Sequence, residues 1–311
     1  MSRVAAIDCG TNSIRLLVAD LPADGGPLVD VVRRMEIVRL GQGVDETGRL
    51  TPEAIERTRV ALAGYAAQIQ ALAAERIRMV ATSASRDAEN AEDFRAMVSE
   101  TLGAAPEVIT GDEEARLSFA GAIRGLAAAL PPYLVVDIGG GSTEFVLGTQ
   151  APQAASSVDI GCVRLTERHL RSDPPTAAEI AAAEKDIIDA VFLARSTVPV
   201  AQAATLVGLA GSVTTVTALA LGLRAYDPAA IHHARITRAQ VVEVTDRLLA
   251  ATRAERAMYP VMHPGRVDVI GAGALVLRVI MDEVGAESVV ASEHDILDGI
   301  AWSLCEDLPR L

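Results

Sequence analysis

The sequence predicts an α/β protein in which one strand–turn–strand architecture occurs twice. Short apolar runs bounded by turn residues alternate with helical patterns along the chain. AIDCGTNSIRLLV and VVDIGGGSTEFVL align at one offset of 129 residues, matching Asp8 with Asp137, Gly10 with Gly139 and Ser13 with Ser142. Between the copies, the proline pair in AAALPPY, Ala127 to Tyr133, ends a helical pattern and opens a strand pattern.

Taken in order, VAAIDCG, IRLLVADL and PLVDVVRRMEIVRLGQG predict a meander of three strands. Thr51-Pro52-Glu53 supplies an N-cap, a proline at the first helical position and an early acid. Ile55, Thr58, Leu62, Tyr65, Ile69 and Leu72 then mark one helical face. RIRMVAT, Arg76 to Thr82, predicts a buried strand, SRDAENAEDFRAMVSETLG one helix ended by Gly103, PEVIT a short strand and GDEEARLSFAGAIRGLAAAL a further helix. In the second copy, DPPTAAEIAAAEKDII predicts a capped helix.

At 311 residues and 50% hydrophobic, the chain has enough apolar material for a core in each of two domains. No apolar run approaches the roughly 20 residues that span a bilayer, and MSRVAAID enters a strand pattern without a signal-peptide core, so no membrane partner and a cytoplasmic location are expected. A net charge of −13 with 3% aromatics disfavours nucleic acid as a partner. Cys9, Cys162 and Cys305 are too far apart for a CxxC site and are expected as buried thiols. Lys185 is the only lysine, which excludes a P-loop, and the five histidines lack HxxxH or HExxH spacing, which disfavours zinc. No GxSxG elbow is present for a serine hydrolase.

What remains is phosphate chemistry. A D-x-G-x-x-S turn between two strands lets backbone N–H groups approach an anion while hydroxyls add donors. Three consecutive glycines, Gly139, Gly140 and Gly141, followed by Ser142 and Thr143, exceed what a plain hairpin needs. Asp8, Asp137 and Glu144 beside such turns repel a phosphate unless they hold a cation, which implies Mg²⁺ or Mn²⁺. VGLAGSVTTVTALAL repeats the pattern at a helix start, with Gly211 and Ser212 as phosphate contacts. Arg86, in ATSASRDAEN, is placed either for a surface salt bridge or for a bidentate phosphate clamp. Glu113 and Glu114 open a helix after a strand; they are either helix-dipole partners or include a base for an attacking water, and the residues alone do not separate the two acids. VIGAGALVL offers GxGxx without the third glycine, a weak dinucleotide signal.

Together AIDCGTNSIRLLVAD, MVATSASRDAEN, VITGDEEARLSF, VVDIGGGSTEFVLG, DIGCVRLTE, GLAGSVTT and VIGAGALVL resemble, in order, the exopolyphosphatase and guanosine pentaphosphate phosphohydrolase (Ppx/GppA) phosphatases of the actin-like ATPase superfamily. The resemblance implies two duplicated ribonuclease H-like domains with an active-site cleft between them. The expected domains are 1–127, completed by a C-terminal helix over 300–311, and 128–299. It also implies Glu114 as the catalytic base, Asp8, Gly10, Thr11, Asn12, Ser13 and Arg15 as the first phosphate loop, Arg86 as a clamp, and Asp137 through Glu144 as the second loop.

The expected activity is hydrolysis of the terminal phosphoanhydride of inorganic polyphosphate by in-line water attack with Mg²⁺. The alternatives are a phosphohydrolase for pppGpp or other nucleotides and, in a different class, an actin-like nucleotide-binding scaffold. A homodimer is implied by the resemblance alone. Two departures shape the expectation. The chain stops soon after ASEHDILDGIAWSLCEDLPRL, where long members continue into a helical region, which points to short polyphosphate chains. In LDGIA, Leu297 to Ala301, many members carry an arginine before the glycine, so no phosphate contact is expected there.

Overall fold

The N-terminal apolar runs form an antiparallel meander of β1 (Ser2–Cys9), β2 (Ser13–Leu21) and β3 (Val29–Ile37), in a computed structural model that describes residues 2–22, 26–126 and 129–305. After the short α1 (Val44–Thr47), α2 (Pro52–Ala71) starts where Thr51 accepts the Ala54 N–H, and Thr58, Leu62, Tyr65 and Ile69 are buried along one side. Then come β4 (Arg76–Ala81), α3 (Ser83–Asp87), α4 (Ala91–Leu102), β5 (Glu107–Val108) and α5 (Gly111–Ala122). The sheet order is β3-β2-β1-β4-β5, with β4 parallel to β1 and β5 parallel to β4.

Two expected helices are shorter than the sequence pattern suggests. The SRDAEN stretch breaks between α3 and α4 because the Asn90 side chain is drawn to Leu50, accepting its N–H at 2.8 Å and donating to its carbonyl at 3.0 Å. That pairing takes the backbone out of the helical path. The helix begun by GDEEARL stops at Ala122 rather than running to Leu130.

Alternation along β1 covers both faces of this sheet. Ala5, Ile7 and Cys9 pack with Leu62, Tyr65, Phe94 and Val98 from α2 and α4, while Val4 and Ala6 pack with Leu117 and with Ile296, Ile300 and Trp302. Burying a side chain such as Phe94 contributes about 1.5–3 kcal/mol. The last three residues belong to α13 (Ile296–Ser303), the final described helix. A Cβ at Gly299 would lie 2.0 Å from the Leu117 carbonyl oxygen, so the glycine in LDGIA lets α13 close onto α5. Asp298 beside it is buried and ion-paired to Arg33 at 2.6 Å, which gives this acid a structural partner on β3. Cys9 and Cys162 are buried as expected, whereas Cys305, just past α13, is half-exposed.

The second sheet is built from β6 (Tyr133–Ile138), β7 (Thr143–Gly148) and β8 (Pro152–Val158), an antiparallel meander like the first. It is followed by α6 (Cys162–Arg168), α7 (Ala177–Arg195), β9 (Thr205–Leu209), α8 (Ala210–Ala220), α9 (Pro228–Ile231), β10 (Arg235–Thr237), α10 (Arg238–Ala250), α11 (Arg253–Ala257), α12 (Ile270–Val284) and β11 (Ser288–Ala291). The sheet order is β10-β11-β9-β6-β7-β8. Capping boxes at Thr176/Glu179, Thr237/Gln240 and Thr252/Glu255 fix the starts of α7, α10 and α11.

The offset of 129 residues extends beyond the sequence motif. Asp8 pairs with Arg15 as Asp137 pairs with Glu144, and Val4 pairs with Arg76 on the parallel neighbour as Tyr133 pairs with Thr205. The register of three strands is therefore common to both copies, and the helical insertion between the second and fourth strands does not disturb it. Two compact units result, Met1–Gly121 with Ile296–Leu311, and Ala122–Asp295. Part of the expected linker, residues 127–128, and the end of the expected closing helix, residues 306–311, lie outside the described residues.

Candidate active site

In the first unit the β1–β2 turn is closed by the Gly10 N–H donating to the Ser13 carbonyl at 3.0 Å. The loop's other carbonyls are tied down from behind: Thr11 O accepts from Gly41 N–H, and Asn12 O accepts from both Val38 and Arg39 N–H. In a trans peptide the C=O and the next N–H point in opposite directions, so anchoring these carbonyls turns the Asn12 and Ser13 amides the other way. A Cβ on Gly41 would lie 2.4 Å from the Thr11 methyl, which makes that glycine a condition of the close approach. The Thr11 hydroxyl lies 2.8 Å from that of Ser83, at the start of α3.

Arg86 and Glu114 meet in the same unit. Arg86 Nη1 lies 3.2 Å from a Glu114 carboxylate oxygen and also donates to the Ile109 carbonyl, so α3, the turn after β5 and α5 together fix the pair. The neighbouring acids now separate. Glu113 points to Arg78 at 2.7 Å and is half-buried, whereas Glu114 is buried. Arg15 spends both its Nε and Nη2 on one oxygen of buried Asp8, at 3.0 and 2.6 Å. The proposed phosphate ligand Arg15 and the proposed metal ligand Asp8 are thus engaged with each other.

In the second unit, Gly139 N–H donates to Ser142 O at 3.1 Å, repeating the closure of the first turn at the same offset. The carbonyls of Gly139, Gly140 and Gly141 accept from the amides of residues 161–164, and Arg164 Nε adds a bond to Gly141 O. By the same peptide geometry the amides of Gly140, Gly141 and Ser142 face away from that anchor as a row of donors. A Cβ on Gly161 would meet the Gly140 backbone at 2.2 Å. Thr143 turns inward, its hydroxyl donating to the Ile160 carbonyl, so it braces the loop through its side chain. Asp137 and Glu144 face each other across β6 and β7, both buried, and Glu144 accepts from the Ser157 hydroxyl at 2.8 Å.

A further anion-favouring point lies at the start of α8. Ala210 has φ of 66°, a left-handed conformation that is strained for a residue with a Cβ, and no side chain caps the helix. Arg266 crosses over Gly211, where a Cβ would lie 2.3 Å from the guanidinium carbon. A cation beside a helix N-terminus opposes the helix dipole, and an anion seated there satisfies both. Ser212 is buried beside Cys162, whose thiol is pushed up to about 11 by burial in spite of a hydrogen bond from Ser212. VIGAGALVL opens α12; its Gly271 and Gly273 are buried inside the helix, and Gly273 makes room for Ser212. Among the described residues no group of three His, Cys, Asp or Glu converges as a metal cluster.

Sequence reasoning missed Arg266, Gly41 and Gly161 as parts of these sites. For the glycines a signal existed: each follows the third strand of its copy, in VRLGQG and VDIGC. Arg266 carried none, because its place depends on a 3₁₀ turn, Pro264–Arg266, packing against a helix some fifty residues earlier.

The Ppx/GppA phosphatase family model matches residues 18–307. The chain belongs to the Ppx/GppA phosphatase family. Within that family it is similar to Exopolyphosphatase 2 of Mycobacterium tuberculosis, 55% identical over 315 residues that cover 98% of this chain and 99% of the relative. A solved exopolyphosphatase-like protein is 44% identical, with a TM-score of 0.93 over 96% of this chain and 98% of its own. The Aquifex aeolicus member of the Ppx/GppA family is 32% identical, with a TM-score of 0.79 over 99% of each chain. The two α/β sheets are thus those of a Ppx/GppA phosphatase, with the fold of the actin-like ATPase superfamily.

Proposed function

We propose that the chain is a cytoplasmic exopolyphosphatase that cleaves the terminal phosphoanhydride of inorganic polyphosphate and releases orthophosphate. The observation that carries the mechanism is the pairing of buried Glu114 with Arg86 at 3.2 Å, in the unit that also holds the Gly10–Ser13 amide loop. A terminal phosphoryl group competes for the Arg86 guanidinium through two parallel N–H···O bonds. As Arg86 turns to the phosphate, Glu114 is released to take a proton from a water. The water oxygen bonds to phosphorus as the bridging P–O bond breaks, and the shortened polyphosphate leaves with the bridging oxygen. The outward amides of Asn12 and Ser13 in one unit, and of Gly140, Gly141 and Ser142 in the other, are donors for phosphate oxygens. Arg266 and the start of α8, with Gly211 and Ser212, offer a further phosphate position.

Asp137 and Glu144 fit a hard divalent cation: two buried carboxylates, opposed on adjacent strands, supply oxygen ligands and leave the remaining positions to water. Asp8, the third expected ligand, has one oxygen held by Arg15. Mg²⁺ or Mn²⁺, when bound, offsets the negative charge of the phosphate chain.

The test is phosphate release from short polyphosphate, long polyphosphate, pppGpp and ATP at matched terminal-phosphate concentration, with Glu114→Gln alongside. Expected is release from polyphosphate, with a drop of roughly 10²–10⁴-fold in kcat and little change in KM for the variant. Release from pppGpp alone assigns the nucleotide reaction instead. Silence on all four substrates favours a nucleotide-binding scaffold, and an unchanged Glu114→Gln removes the base.

A further inference from the structure

Two arginines on different elements hold the first turn of α5. Arg86 on α3 takes Glu114, and Arg78 on β4 takes Glu113 at 2.7 Å. Successive residues of a helix are turned by about 100°, so the two acids leave α5 in different directions and a tether on one sets the bearing of the other. Thr110 accepts the Glu113 N–H at 3.2 Å, which is half of a capping box in the spacing Thr110-x-x-Glu113. In the completed box at Thr176 and Glu179 the glutamate returns to the cap N–H. At the start of α5 the glutamate goes to Arg78 instead.

Arg78 is itself well fixed. Its Nη2 also donates to Glu107 on β5 at 2.8 Å, its Nη1 donates to the Ser303 hydroxyl at the end of α13 at 2.7 Å, and its side chain is 15% exposed. An isolated surface ion pair contributes little, but a guanidinium bonded to three elements at once is held in one geometry.

We propose that Arg78 is a positioning residue for the reaction: through Glu113 it keeps the start of α5, and with it the Glu114 carboxylate, in place while Arg86 is engaged with phosphate. The inference rests on the role proposed above for Glu114 as base. In the structure Glu114 has a tether of its own in Arg86. Once that guanidinium turns to the terminal phosphoryl group, the Arg78–Glu113 pair and the Thr110 cap still hold the helix start. A reacting group displaced by about 1 Å loses on the order of 10²-fold in rate, so this tether acts on kcat and leaves KM alone.

The experiment is steady-state phosphate release from short polyphosphate by the full chain, with a thermal melt recorded on each variant. Arg78→Ala and Glu113→Ala are each expected to lower kcat about tenfold with KM unchanged. The double variant is expected to lose no more than Arg78→Ala alone, because both substitutions cut one tether. Arg78→Lys keeps a donor for Glu113 and is expected to recover part of kcat. Ser303→Ala removes a different arm of Arg78 and is expected to lower the melting temperature with kcat unchanged. Where Arg78→Ala folds poorly, Glu113→Ala, at a half-buried position, decides the question. The proposal is overturned by a Glu113→Ala chain with wild-type kcat, by losses that multiply in the double variant, or by a rise in KM in place of the fall in kcat. An equal loss of kcat in Ser303→Ala assigns the effect to folding and overturns it too. Glu114→Gln separates this inference from the function it rests on. Full activity there removes the base and the tether together, whereas an inactive Glu114→Gln beside a fully active Glu113→Ala rejects the tether alone.

Discussion

The Gly10–Ser13 loop and the Gly139–Ser142 loop share a strand register, a glycine-to-serine closure and a set of carbonyls tied down by the segment after the third strand. Their electrostatics differ at one matched position. Opposite Asp8 stands Arg15, so the first loop neutralises its own acid; opposite Asp137 stands Glu144, so the second concentrates negative charge. Duplication has conserved the backbone that presents amides, and the side chain across the ladder assigns each copy its partner. In the function proposed above, the first loop takes an anion alone and the second an anion accompanied by a cation.

The largest effect that sharpens this comparison is expected from Gly161→Ala. The new methyl meets the Gly140 backbone, which has nowhere to move, so a loss of about 3 kcal/mol in chemical denaturation and of nearly all phosphate release is expected. Retained activity removes the anchoring account. Arg15→Glu gives the first loop the carboxylate pair of the second. Placing two acids together at a buried position is expected to cost about 2 kcal/mol in the presence of a chelator, with much of it recovered on adding Mg²⁺. A variant whose melting temperature ignores the metal shows that the carboxylate pair alone does not make a cation site. Gly41→Ala repeats the first substitution on the other copy at a smaller cost, about 1 kcal/mol, because the methyl meets the movable Thr11 side chain rather than backbone. Equal losses at Gly41 and Gly161 contradict that difference.

The smallest effect concerns protons. All five histidines fall in the second unit, and burial holds His233 and His263 below the ordinary value of 6.5. As pH falls below that value the unfolded chain takes protons that the folded one refuses, so stability declines on acidification through this window. His233 also has φ of 64°, a conformation that asparagine adopts more readily. His233→Asn is therefore expected to narrow the drop in melting temperature between pH 7 and pH 5.5 (about one unit below the ordinary value). An unchanged drop assigns the acid sensitivity to other groups.

The parts legible in the sequence were those encoded locally. Apolar runs and glycine turns gave the two meanders, and the identity of Asp8, Gly10 and Ser13 with their counterparts gave the repeat, because a ladder register is set by the residues that carry it. Glu113 and Glu114 were indistinguishable until Arg78 and Arg86, on separate elements, claimed one each. The break before α4 needed Leu50, and the place of Arg266 needed α8, each some forty or more residues away. Such partners leave no periodic trace, so no local pattern could have announced them.

Helix α13 has a consequence for synthesis. Val4, Ala6 and Val80 lie on a sheet face that Ile296, Ile300 and Trp302 help to cover. A ribosome making this chain emits the sheet first and part of its cover last, after the entire second unit. The nascent N-terminal half therefore carries an open apolar surface for most of its time in translation, a period in which chaperone binding competes with aggregation. Its maturation is timed by the synthesis of α13 rather than by its own length.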